Sequence, residues 1–336
     1  MQGYAYKLFD DILERKLCFL VMEVEVIEIK AEWRRSIILE YIHTKVVPIT
    51  SVIDVPNGFL GRSCIASYKF TEKQTSIRST TMEKSKIGRR FEGKVAIVTA
   101  STQGIGFAIA QRIGLEGGSV VISSRRQKNV DEAVKKLEAQ GIEVLGLVCH
   151  VSNAQQRKNL IDQTIQKYGK IDVVVSNAAA NPSVDPILKT QEAALDKLWE
   201  INVKTSILLL KDASPHLTEG SSVVFISSIS AFQPPAGLAM YGVTKTALLG
   251  LTKALASEMA PHTRVNCVAP GFVPTHFAEY ITSNEAMRKS LEELTMLKRL
   301  GTTDDMAAAT AYLASDDASY VTGETIVVAG GMPSRL

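Results

Sequence analysis

From Lys94 onward, short β-branched runs alternate with amphipathic stretches of about ten residues or more. The strand candidates span residues 94–99, 119–123, 143–149, 172–176, 222–226, 264–268 and 325–328. Helical periodicity fills the intervals at 106–115, 130–139, 153–168, 193–210, 240–259 and 304–313. The strand runs are apolar almost throughout, as expected for strands covered on both faces. Such an alternation closes as parallel strands joined by right-handed helical crossovers. It predicts an α/β fold, a Rossmann-like doubly wound sheet of about seven strands.

Of the 336 residues, 46% are hydrophobic and 22% charged, enough apolar material for a full-sized core. A net charge of +3 with no basic block argues against nucleic acid as a partner and against a polybasic membrane anchor. The most apolar early stretch, 17–29, is interrupted by Glu23, Glu25 and Glu28, so no membrane insertion is expected. Cys18, Cys64, Cys149 and Cys267 are scattered without a CxxC pair, and the five histidines are as dispersed, so neither a disulfide framework nor a metal site is expected.

Residues 1–81 carry no sustained period and drift into a Ser/Thr/Lys run at 71–81. They lack the cationic start of a secretory signal and are too acidic for a mitochondrial presequence. They are expected to lie outside the fold, as a disordered leader or as sequence upstream of a true start at Met82. A small appended module is the rival reading. The catalytic domain is then expected over 82–331, followed by a short tail, 332–336.

After the first strand the chain reads Thr99-Ala100-Ser101-Thr102-Gln103-Gly104-Ile105-Gly106, and a helix follows. Glycines in such a turn let backbone approach a pyrophosphate and aim free N–H groups of the helix start at it. The turn thus predicts a dinucleotide site. The second strand ends Ser123-Ser124-Arg125-Arg126, where an NAD site would want a carboxylate for the ribose hydroxyls. Ser124 and Arg125 suit a 2′-phosphate instead, which selects NADP(H).

Tyr241 and Lys245 stand at i and i+4 at the start of a helical pattern, so phenol and ammonium share one helix face. A nearby cation is expected to lower the phenol pKa from about 10 and fit it for reversible proton transfer. Ser228 ends a strand 13 residues upstream, at the edge where doubly wound sheets bind ligands. Asn202 is a polar residue inside an apolar helical stretch.

With these residues in view, the chain resembles the short-chain dehydrogenase/reductases over about residues 90–331. The resemblance rests on the 99–106 turn, Ser176-Asn177-Ala178-Ala179, Asn202, Ser228, Tyr241-x-x-x-Lys245, Pro270-Gly271-Phe272-Val273-Pro274-Thr275 and Ala329-Gly330-Gly331, all in family order. The chain departs from the usual pattern in three places: Ala100 replaces a glycine, His150 an aspartate that touches adenine, and Ser176–Ala179 the common Asn-Asn-Ala-Gly. The departures look like the branch of the SDR family member 4 carbonyl reductases, which includes a plant peroxisomal protein of the indole-3-butyric acid response.

The resemblance implies hydride transfer from NADPH to a small-molecule carbonyl substrate. In that scheme Tyr241 is general acid/base, Ser228 holds the carbonyl oxygen, Lys245 binds the nicotinamide ribose, and Asn202 positions a proton-relay water. It places Ser101, Gln103, Gly104, Ile105, Gly106, Ser124, Arg125, His150, Val151, Asn177, Val273 and Thr275 around the cofactor, Thr275 near its carboxamide. A homotetramer built on the 240–259 helix is also implied. The final Ser334-Arg335-Leu336 resembles a peroxisomal address read by the import receptor, with cytoplasm as the alternative location. A 3-hydroxyacyl-type dehydrogenase of side-chain β-oxidation is the second enzymatic reading, and a non-catalytic nucleotide-binding scaffold the third. Substrate choice is expected to depend on 181–194 and 276–300.

Overall fold

The apolar runs pair as anticipated because each can bury both of its faces. The computed structural model describes residues 88–278 and 284–334. The expectations placed on residues 1–81, on Met82 and on Arg335 and Leu336 lie outside these. The described strands are β1 (Val95–Val98), β2 (Ser119–Ser124), β3 (Val144–Val148), β4 (Ile171–Ser176), β5 (Leu217–Ile226), β6 (Thr263–Pro270) and β7 (Thr325–Val328). They form one parallel sheet in the order β3-β2-β1-β4-β5-β6-β7.

Among the described residues, eight α-helices connect them: α1 (Gly104–Leu115), α2 (Gln127–Glu138), α3 (Ala154–Tyr168), α4 (Glu192–Trp199), α5 (Thr205–Ala213), α6 (Ala239–Met259), α7 (Glu285–Leu294) and α8 (Thr303–Ala314). Alternation along β1 shows how the layers divide. Ala96 and Val98 pack with Ile109 and Ile113 of α1, Leu137 of α2 and Ala311 of α8. Val95 and Ile97 face the opposite way, toward Leu160 of α3, Leu209 of α5 and Ala256 of α6. Fully buried Ile and Leu side chains contribute about 1.5–3 kcal/mol each. Exposed pairs such as Lys158–Asp162 add a few tenths, so the two apolar layers dominate.

Local chemistry sets the helix ends. Asn153 caps α3 by accepting from the Gln156 N–H, and Gly169 closes it in the left-handed region. Thr302 and Asp305 form a reciprocal capping box on α8.

Two features differ from the sequence reading. The single helix expected over 193–210 is interrupted by a five-residue π-turn, Glu200–Lys204, which separates α4 from α5. The interruption follows from Asn202, which turns inward to polar partners and is 1% exposed. The second is α7, a helix the sequence reading did not name although Met287, Leu291 and Leu294 stand at i, i+4 and i+7; it has no buried residue, and Asn284 caps it.

The β1–α1 turn contains a strained residue. Ala100, exposed, has φ +50°, in the left-handed region where a Cβ is disfavoured by about 1–2 kcal/mol. Ala100→Gly should relieve that strain, less the about 0.5–1 kcal/mol that glycine loses through unfolded-state freedom. A rise in melting temperature of about 2 °C is expected by calorimetry.

Candidate active site

Because all seven strands run one way, their carboxyl ends share one edge of the sheet, and β1 and β4 flank the point where strand order reverses. The residues singled out in the sequence gather along this edge.

At the β1–α1 turn, Ser101 is fully buried; its hydroxyl donates to the Val98 carbonyl at 2.6 Å and accepts from the Ser123 N–H at 3.1 Å. It therefore fastens the turn to β2. Gln103 is exposed at the start of α1, with Gly104 and Ile105 half-buried beside it. Gly106 is required by packing: a Cβ there would lie 2.4 Å from Asn177 Nδ2 and 2.6 Å from the Ala100 carbonyl oxygen. Asn177 Nδ2 donates to the carbonyls of Thr99 and Ala100 at 2.9 and 3.0 Å, and the Asn177 N–H donates to Thr99 Oγ1 at 3.0 Å. Asn177 thus locks the end of β4 to the turn.

At the end of β2, Ser124 is half-buried and Arg125 and Arg126 are exposed. Among the described residues neither arginine pairs with a carboxylate. Beside them, His150 accepts at Nδ1 from, or donates to, the Ser152 hydroxyl at 2.7 Å, while its N–H donates to Gln156 Oε1 at 2.6 Å. The Val151 carbonyl accepts from buried Arg157 at 2.7 Å, and Arg157 also pairs with Asp212 at 3.0 Å. At the far end of the edge Val273 is buried, and a Cβ built on Gly104 would lie 3.4 Å from the Thr275 methyl. The β1 and β6 loops therefore meet across the cleft.

A dinucleotide cofactor fits this edge. Backbone can approach closely at Gly106, the N-terminus of α1 is presented there, and the β2 end offers a hydroxyl and guanidinium with no carboxylate.

The residues expected to carry the proton chemistry lie between β5 and α6. Ser228 follows β5 and caps a short 3-10 turn, its Oγ accepting from the Ser230 N–H at 3.1 Å. Tyr241, 8% exposed, lies beside the Ser228 hydroxyl. One turn further along α6, Lys245 is 2% exposed; its Nζ donates to the Ile226 carbonyl at 2.8 Å and lies 5.6 Å from the Tyr241 ring centroid. Gly242 makes the approach possible, since a Cβ there would lie 2.6 Å from the Ser230 carbonyl oxygen.

The electrostatics correct one expectation. Burial raises the Tyr241 pKa well above the ordinary 10, and the neighbouring Ser228 hydroxyl opposes it only in part. The depression expected from Lys245 is absent because that ammonium is itself disfavoured: burial brings Lys245 down to about 8, with the neighbouring Cys267 opposing. Cys267 is buried as well and is pushed up to about 11.

Asn202 sits at the back of the site. Its Oδ1 accepts from the Ala180 N–H at 2.8 Å, and its Nδ2 donates to the Ala180 carbonyl and to Thr244 Oγ1, both at 3.0 Å. The side-chain amide is thus engaged by protein atoms and ties the loop after β4 to α6. Sequence reasoning did not find three residues here: Ala180, Thr244, and Phe277, whose ring centroid lies 5.8 Å from that of Tyr241. Thr244 lies inside the Tyr241–Lys245 motif and could have been flagged as a buried helix hydroxyl, whereas Ala180 and Phe277 carry no local signal. His276 is exposed on the same loop as Phe277.

Comparisons with known proteins agree with this arrangement. Residues 99–333 match the family model described as enoyl-(acyl carrier protein) reductase. The chain is 79% identical over 253 residues to tropinone reductase-like 3 of Erythroxylum coca, covering 75% of this chain and 98% of that protein. It is 72% identical over 255 residues to the short-chain dehydrogenase/reductase SDRA of Arabidopsis thaliana, covering 76% and 100%. It is 48% identical over 263 residues to human dehydrogenase/reductase SDR family member 4, covering 77% and 95%. Among solved structures, a short-chain dehydrogenase from Burkholderia cenocepacia in complex with NADP superposes with a TM-score of 0.67 at 27% identity, covering 72% of this chain and 98% of that one. The edge-on site and these relatives together establish that the chain belongs to the short-chain dehydrogenase/reductase family and is an oxidoreductase of that family.

Proposed function

We propose that the protein reduces a ketone or aldehyde to an alcohol with NADPH, using Tyr241 as the proton donor. The observation that carries the reading is the set of Ser228, Tyr241 and Lys245 gathered at the sheet edge, with Lys245 Nζ 5.6 Å from the phenol ring and fastened to the Ile226 carbonyl at the end of β5. A proton donor, a hydroxyl to bind the oxygen and a buried cation are the three groups such a reduction asks of the protein.

When bound, the nicotinamide cofactor supplies the hydride. The chain's own residues handle the oxygen. Ser228 Oγ donates to the substrate carbonyl oxygen, and Tyr241, kept protonated by burial, gives its proton to that oxygen as negative charge develops. Lys245, within 5.6 Å of the phenol ring, stabilises the phenolate left behind. Asn202 and Thr244 hold the helix that carries both groups. Ser124 and Arg125 are assigned to the 2′-phosphate. The segments assigned to substrate expose Ile187, Leu188, Leu294 and Met296, which suits an apolar substrate.

The proposed assembly is a homotetramer. Much of the apolar side of α6 packs into its own core, Leu248 and Ala256 among them, but Val243 stays 40% exposed, as do Trp199 (48%) and Ile207 (43%). Peroxisomal location is proposed from Ser334-Arg335-Leu336.

Three measurements test this reading. Tyr241→Phe should lose about 10²–10⁴-fold in kcat for ketone reduction while binding NADPH normally by fluorescence titration. Wild-type turnover in that variant would refute the assignment. Arg125→Ala should raise KM for NADPH about 10–100-fold and leave KM for NADH unchanged, as loss of a charge-assisted bond of about 1.5–3 kcal/mol requires. A fluorescent reporter ending in residues 331–336 should collect in peroxisomes, and a diffuse signal would remove the localisation.

A further inference from the structure

Tyr241 and Phe277 are in ring contact, centroids 5.8 Å apart and planes inclined at 43°. Tyr241 is almost fully enclosed, whereas Phe277 is 54% exposed. An aromatic side chain half open to water, resting on a ring that is not, forms the cover on that side of the buried one. It arrives on the loop after β6, whereas Tyr241 rides on α6, so two separate elements close over the phenol.

We propose that Phe277 is a positioning residue for proton transfer: its ring fixes the Tyr241 ring and keeps water from the phenolic hydroxyl. The proposal rests on Tyr241 being the acid–base group. Shielded in this way, the phenol exchanges its proton with the bound carbonyl and not with bulk water.

Among the described residues, the Ser228 hydroxyl after β5 lies beside the phenol, Lys245 on α6 lies 5.6 Å from its ring, and Cys267 on β6 neighbours Lys245. His276, next to Phe277 on its loop, is engaged by a partner of its own. Burial is the largest influence on Tyr241 and acts to raise its pKa. Uncovering the ring admits water, favours phenolate and lowers that pKa. Proton donation in the reduction direction is then lost at a lower pH.

The test uses the full chain labelled with [ζ-13C]tyrosine, the Tyr241 resonance being the one missing from Tyr241→Phe. In Phe277→Ala, the phenolate fraction of Tyr241 at a fixed alkaline pH should be about tenfold larger than in wild type, a shift of about one pH unit. Phe277→Tyr, which keeps the ring, should titrate as wild type. A folded Phe277→Ala protein with an unmoved titration would overturn the proposal. If Phe277→Ala fails to fold, Phe277→Leu decides: a shift in the same direction supports the role, and coincidence with wild type ends it. The titration needs no substrate, so its failure leaves the reductase reading standing. Activity retained in Tyr241→Phe would remove that reading without altering the titration.

Discussion

A buried ammonium needs a fixed acceptor, and Lys245 finds one in the backbone. Its Nζ donates to the Ile226 carbonyl, while the Ser227 hydroxyl donates to the Lys245 carbonyl at 2.8 Å. The two bonds run in opposite directions between the end of β5 and the start of α6, so the helix can neither slide nor turn against the strand. Everything reactive depends on that junction, because Ser228 belongs to the strand end and Tyr241 to the helix. A carbonyl is a dipole and not a counter-ion, so desolvation is only partly offset, and the pKa of Lys245 falls to about 8. The penalty belongs to the protonated form. It is present in full below about pH 8 and is relieved as pH rises toward the unfolded value near 10.5.

The polar residues of the site divide into two kinds. Thr99, Ser101, Asn177, Asn202 and Thr244 have their side chains committed to other parts of the protein, and they hold loops from β1, β4 and α6 in register. Ser228, Tyr241 and Arg125 are the ones proposed to meet ligands. This division explains why so many hydroxyls and amides crowd one sheet edge. Loops that must come within van der Waals distance of a ligand cannot bury much apolar surface of their own, so hydrogen bonds to backbone give them their shape.

The strands, the phosphate turn and the Tyr–Lys helix are legible in the sequence because each is written in neighbouring residues: apolar runs, glycines after a strand, an i, i+4 pair. The π-turn at Asn202 is not. Its cause is a set of bonds to Ala180 and Thr244, 22 and 42 residues away, which no local period encodes. Helix α7 differs: the spacing of Met287, Leu291 and Leu294 and the Asn284 cap are written in neighbouring residues, yet none of its side chains is buried, so its stripe does not mark the core. The direction of the Tyr241 shift is misread from sequence because spacing shows which charges are near but not how much water is excluded, and here exclusion is the larger effect.

That reversal bears on the proton step. A phenol with a depressed pKa would serve well as a base that removes a proton from an alcohol. A phenol whose pKa burial raises carries its proton at neutral pH but gives it up less readily, so the proton moves only as the carbonyl oxygen gains negative charge. The nearby lysine, easily deprotonated itself, stabilises the phenolate only once it has formed and only while it keeps its own proton. On the proposed reductase reading, the same exclusion of water that makes the phenol reluctant also strengthens the attraction between the nascent phenolate and the Lys245 ammonium, so burial both opposes and supports the proton step.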